Sequence, residues 1–273
     1  MSLIKDWFAL LVVFCCMGAA PPRSCRTLHA GEDWAFSVVF SPDGTLLAAG
    51  FRGGIVRIWD TATGKELASF SEFESTISGL AFSSDGKLLL ASSCVSKELK
   101  IWDVKAKKLS KTVTLPDVIY RICFASDGKT LAASQEKDVV ILRASDFKEL
   151  HRLKGHTEIV NCIAFSADGG TLVSGSWDQS VRVWKTKNGV SKGVLTGHKD
   201  TLRDVIVSQT GDSVASAGFD ATIRFWDVKR KTEFGTIQSE EEGVFSGLAY
   251  VPEPRPLIVA VNKIDKPGVN LDR

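Results

Sequence analysis

A period of 41 to 43 residues governs this chain. The segment "VVFSPDG" returns as "LAFSSDG", "ICFASDG", "IAFSADG", "VIVSQTG" and "LAYVPEP". Its anchor residues are Phe40, Phe82, Phe124, Phe165, Val207 and Tyr250. A second series keeps the same phase: "VRIWD", "LKIWD", "VRVWK" and "IRFWD" place Trp59, Trp102, Trp184 and Trp226, and "VVILR" puts Leu142 there in repeat three. Two markers holding one period mean six copies of a supersecondary unit. Such a unit buries its apolar face only against its neighbours.

Within each unit the pattern is that of short strands. Apolar residues alternate up to an "SPDG"-type segment, whose Asp-Gly supplies a tight hairpin turn. A small-residue strand such as "TLLAAG" follows, then a second turn and the Trp-bearing strand. A charged connection such as "TATGKE" leads to a fourth strand. No stretch carries helical periodicity. Four short strands per repeat predict an all-β chain built as a propeller of four-stranded antiparallel blades.

The segments "GHTEIVNCIAFSADGGTLVSGSWDQSVRVWK" and "GHKDTLRDVIVSQTGDSVASAGFDATIRFWD" carry a full family signature, and the sequence resembles the WD-repeat (WD40) family over residues 24 to 273. The resemblance implies a network inside a blade. His156, Ser174, Asp178 and Trp184 form one set, and His198, Ser216, Asp220 and Trp226 the other. A buried indole, imidazole and carboxylate satisfy one another in a closed chain. Repeats one to three lack the turn Asp, with Gly53, Ser96 and Glu136 in its place, so apolar packing is expected to hold them. Six blades are expected, with a gapped or truncated seven-bladed ring as the alternative. A strand near Arg26 is expected to close the ring by pairing with residues 268 to 272.

The first 22 residues stand apart from the repeats. An apolar run from Trp7 to Ala20 is too short for an ordinary membrane span and fits the apolar region of an export signal. It predicts export or membrane tethering, with a cytoplasmic protein bearing a non-structural extension as the alternative. Residues 23 to 273 form the expected single domain. Six Cys without C-x-x-C spacing argue against zinc and against a dense disulfide framework. A net charge of +2, from 34 basic and 32 acidic residues, gives no field that would draw nucleic acid.

The resemblance also places a binding rim at the ends of the inner strands. Its candidates are Trp34, Phe36, Arg52, Tyr120, Asn161, Trp177, Arg203 and Phe219. Val95, Gln135 and Ile264 stand at the same phase as Arg52. Aromatics with Arg make the composition of an interaction hot spot. The expected partner is a protein or peptide, and the protein itself a monomer or a subunit of a complex. No catalytic residue, metal or cofactor is predicted. Gly128-Lys129-Thr130 lacks the earlier Gly of a phosphate loop, since Cys123 stands there. "NKID", at 262 to 265, spells a guanine-reading tetrapeptide. Asp265, however, precedes Leu271 by the six residues that separate Asp178 from Trp184, so it reads as a blade turn. A ligand-binding or enzymatic propeller, with a site in the channel, is the competing reading.

Overall fold

The computed structural model describes residues 34–239, together with the strands β1 (Leu10–Val13), β2 (Arg26–His29), β23 (Phe245–Val251) and β24 (Leu257–Asn262). Every regular element among the described residues is a β-strand. By its internal contacts the chain groups into two compact units, residues 1–119 and 120–273.

Five four-stranded antiparallel sheets follow the five complete repeats, each in simple chain order. Sheet one holds β3 (Ala35–Phe40), β4 (Leu46–Phe51), β5 (Val56–Asp60) and β6 (Glu66–Phe70). Sheet two holds β7 (Ile77–Phe82), β8 (Leu88–Ser93), β9 (Glu98–Asp103) and β10 (Lys108–Thr114). Sheet three holds β11 (Ile119–Phe124), β12 (Thr130–Gln135), β13 (Asp138–Arg143) and β14 (Glu149–Leu153). Sheet four holds β15 (Val160–Phe165), β16 (Thr171–Ser176), β17 (Ser180–Lys185) and β18 (Ser191–Thr196). Sheet five holds β19 (Leu202–Val207), β20 (Ser213–Gly218), β21 (Thr222–Asp227) and β22 (Thr232–Gln238). The sixth repeat contributes the pair β23–β24. These sheets have the form of WD40 blades.

The strand near Arg26 is paired with Leu10–Val13, Val13 standing opposite Arg26 and Leu10 opposite His29. Part of the apolar N-terminal run, set aside above as lying outside the fold, is thus drawn into a hairpin. Asp265 and residues 268 to 272 lie outside the described residues, and so does Ile264.

Local chemistry sets the turns. After β3, the Ser41 hydroxyl donates to Asp43 Oδ1 at 2.6 Å, and the same oxygen accepts the Thr45 N–H at 3.0 Å. Gly44 takes φ 70°, where a side chain would be strained, and its N–H closes the turn on Ser41 O at 2.8 Å. Asp85 and Asp168 make the same bonds in sheets two and four.

Packing has a direction. In the first unit, Ala48, Val56 and Ile58 of sheet one share a buried cluster with Ile77, Leu80 and Phe82 of β7. In the second unit, Ala132, Val139 and Ile141 of sheet three lie against Val160 of β15, with Ile163 and Phe165 half-buried beside them. Val173, Val181 and Val183 of sheet four cover Leu202, Val205 and Val207 of β19. Within each unit, sheets one, three and four thus offer their second and third strands to the first strand of the next. In β3, by contrast, Phe36, Val38 and Phe40 are exposed.

Candidate interaction face

The site is built on the turn between the second and third strands of sheets four and five. In sheet four, His156 Nδ1 lies 2.8 Å from Asp178 Oδ2 and Nε2 lies 2.9 Å from Ser174 Oγ. Trp184 Nε1 donates to that same serine oxygen at 2.9 Å. The carboxylate selects the Nδ1–H tautomer. Nε2 then accepts the serine proton, and the serine oxygen accepts the indole N–H. Sheet five repeats the chain. His198 Nδ1 lies 2.9 Å from Asp220 Oδ2, Nε2 lies 2.7 Å from Ser216 Oγ, and Trp226 Nε1 donates to Ser216 Oγ at 2.8 Å. Gly218 makes room for it, since a Cβ there would stand 2.8 Å from His198 Nδ1 and 2.9 Å from Asp220 Oδ1.

Charge is well placed in both sets. Burial works against the Asp178 carboxylate, yet bonds from His156, Ser180 and the Thr157 N–H hold its pKa below the usual range. Asp220 is likewise lowered against its burial, by the Lys199 N–H, Thr222 and His198. Burial lowers the pKa of His198, and Asp220 opposes that only in part. Ser174 and Ser216 are fully buried, with hydroxyls already engaged on both sides, so neither is placed to attack a substrate.

Fixing the turn Asp fixes the residue before it. Trp177 donates its N–H to Ile159 O at 2.9 Å, and Phe219 donates to Thr201 O at 2.9 Å. Both rings remain half in solvent, 45% exposed for Trp177 and 38% for Phe219. The Arg203 guanidinium sits 5.1 Å from the Phe219 ring centroid, a cation–π contact. Sheets four and five therefore present the two aromatics at equivalent positions along one edge.

The other candidates divide. Tyr120 is half-buried at the start of β11. Asn161 is used internally, its side-chain amide donating to Leu202 O at 3.1 Å while its backbone carbonyl accepts Arg121 Nε–H at 2.9 Å. Gln135, at the rim phase of sheet three, is buried and accepts a bond from Arg152 at 3.2 Å. In the first unit, the exposed Arg52 donates its N–H to the Trp34 carbonyl at 3.0 Å, and the Trp34 ring is exposed. Phe36 lies beside Val38 and Phe40 on the face that β7 uses for packing between sheets.

Asp204 went unremarked in the sequence. It stands inside the otherwise mostly apolar strand "LRDVIV", and that mismatch was the available signal. Its carboxylate accepts the Leu248 N–H at 2.7 Å and so ties β23 to β19. Burial raises its pKa to about 6, against the pull of Leu248 and Arg121. A cleft of about 220 Å³ opens where β15 and β19 end, lined by Ala164, Phe165, Ala167, Ile206, Val207 and Gln209. It holds no titratable side chain. Among the described residues, no three His, Cys, Asp or Glu are grouped to hold a metal.

The "WD domain, G-beta repeat" model matches residues 22–60, 64–103, 147–185 and 189–227, more than half of the chain. The chain belongs to the WD40 family. Among curated relatives, this WD40 chain is 32% identical to small ribosomal subunit protein RACK1 of Brassica napus over 162 residues, 59% of this chain and 42% of that protein. It is 30% identical to periodic tryptophan protein 2 of Arabidopsis thaliana over 158 residues, 54% of this chain and 17% of that protein. It is 27% identical to the guanine nucleotide-binding protein subunit beta of Zea mays over 169 residues, 59% of this chain and 35% of that protein. The chain thus spans less than half the length of these relatives.

Proposed function

We propose that this WD40 protein is a non-catalytic interaction platform that takes a protein or peptide on the edge bearing Trp177, Phe219 and Arg203. The observation that carries the reading is the contrast within one turn. The Asp carboxylate is largely withdrawn from solvent and bonded to the His, a backbone N–H and a hydroxyl, while the aromatic beside it is held by its backbone with its ring half in solvent. Rigid aromatics with an Arg stacked on one of them supply contact area at little entropic cost. Trp34 and Arg52 offer the same chemistry on the first unit. The names of two relatives, a ribosomal subunit protein and a subunit of a guanine nucleotide-binding protein, are those of members of assemblies. Six blades closed into a ring, and export or tethering by the N-terminal run, complete the proposal.

Affinity capture with the intact protein and with a Trp177→Ala/Phe219→Ala variant tests the face. A partner held by the first and lost from the second, with both folded, supports it. Equal capture by both overturns it. Turnover of a substrate in a broad hydrolase screen, abolished by Arg203→Ala, overturns the non-catalytic reading. The mass of the mature protein decides whether the N-terminal run is removed.

A further inference from the structure

The first strands of sheets four and five both open with a bulge, and the bulge decides where one side chain goes. In β15, Val160 faces Ser176 and Cys162 faces Gly175, which leaves Asn161 as the extra residue. In β19, Leu202 faces Gly218 and Asp204 faces Ala217, which leaves Arg203 as the extra residue. A bulge re-aims the side chain it adds. Asn161 is spent on the next strand, donating to Leu202 O at 3.1 Å. Arg203 is not. Among the described residues its guanidinium makes no hydrogen bond and no ion pair, and what holds it is the Phe219 ring at 5.1 Å.

The carboxylates nearest in the chain are already engaged. Arg121 and Arg203 both pull on Asp204. One oxygen of Asp204 accepts the Leu248 N–H at 2.7 Å, and the other accepts the Val205 N–H at 2.9 Å. Asp200 turns back to accept the Thr201 N–H at 2.6 Å. Two guanidinium groups therefore share the one carboxylate of β19, and Arg203 carries the surplus charge at the half-buried start of that strand.

That arrangement selects a ligand chemistry. A guanidinium is a planar fork, and a carboxylate meets it with two parallel bonds. Stacking on the Phe219 ring fixes the plane and leaves the N–H groups along its edge open. A doubly charged phosphate suits the place less, because the Asp204 charge stands close by. Trp177 holds the equivalent position on sheet four, 45% exposed, and supplies apolar area on the same edge. Given the platform reading above, we propose that the occupant of this face is an acidic peptide: one aspartate or glutamate carboxylate pairs with Arg203, and large apolar residues around it cover Trp177 and Phe219.

Random peptides displayed on phage and selected on the full chain test this. Those retained by the parent and lost from the Trp177→Ala/Phe219→Ala variant are expected to share an aspartate or glutamate among apolar residues. One such synthetic peptide is then compared with its amide counterpart, Asp→Asn or Glu→Gln, on the parent and on Arg203→Gln. Loss of the carboxylate should weaken binding to the parent at least about tenfold, and binding to Arg203→Gln hardly at all. Equal binding of the amide peptide by both proteins keeps the reading independent of a folding defect. Raised salt should weaken the acidic peptide more than the amide one. Face-dependent peptides without a shared acid overturn the proposal and leave the platform reading standing, and so does an equal loss on parent and variant. If no selected peptide depends on Trp177 and Phe219, the platform reading fails and this proposal with it.

Discussion

Sheets four and two carry the same pair of residues and use them differently. Ser174 lies ten residues before Trp184, and Ser92 lies ten before Trp102. In sheet four the serine bridges imidazole and indole. In sheet two the exposed Glu74 stands at the phase of His156, and Ser96 stands at the phase of Asp178. Ser92 Oγ and Trp102 Nε1 are both buried there without a hydrogen-bond partner. What holds Trp102 is aromatic: Phe70 stacks on it at 5.2 Å and Phe73 tilts against it at 6.2 Å. A Ser–Trp spacing is therefore no network by itself. Only the His, oriented by the Asp, turns the hydroxyl toward the indole, and without it the ring is kept by area and shape.

If that is right, equal substitutions should have unequal costs. Asp178→Ala strips the partner from a buried histidine and from the Thr157 N–H. It should cost about 3–5 kcal/mol in chemical denaturation, against under about 1 kcal/mol for Ser96→Ala at the same phase. Similar losses at the two sites would end the distinction. Trp184→Phe should cost about 2–3 kcal/mol because Ser174 Oγ loses the buried indole N–H it accepts, whereas Trp102→Phe, with no bond to lose, should cost about 1 kcal/mol. A double-mutant cycle with the serine should show coupling in sheet four and none in sheet two. Ser174→Ala should cost about 1–2 kcal/mol, and Ser92→Ala should fall within about 0.5 kcal/mol of neutral, since it removes an already unpartnered hydroxyl.

The smallest expected difference is one of pH. Burial lowers the pKa of His198, so below its ordinary 6.5 the unfolded chain binds more protons than the folded one. Stability then falls as pH drops through that value. Asp204, raised to about 6, works the opposite way in the same sheet, so an Asp204→Asn background isolates the histidine. Amide exchange protection in sheet five of that variant should fall several-fold, roughly, between pH 7 and pH 5, while sheet two stays level. A uniform change across both sheets would show that the histidine does not set it.

Much of this was legible because a repeat averages over its own noise. Strand phase and the "SPDG" turns follow from spacing, and the joining of His156, Ser174, Asp178 and Trp184 from the family resemblance. What escaped depends on pairs remote in sequence. Gln135 shares a phase with Trp177, yet it is withdrawn by Arg152, seventeen residues on. Asn161 shares a phase with Arg203, yet its amide is claimed by Leu202. Phe73 carries no signature, and it does for Trp102 what a histidine does for Trp184. Position along a period gives a side chain its direction, but only its neighbours decide whether it arrives at solvent.

Within the second unit, the one-way packing of sheets three to five makes a queue. Sheet three shelters sheet four, and sheet four shelters sheet five. A defect at Val181 or Val183 therefore uncovers Val205 and Val207 ahead of it and leaves sheet three with its own cover in place. Damage in this unit travels toward the C-terminus, so two equally buried valines of sheets three to five differ in consequence by how many sheets follow them.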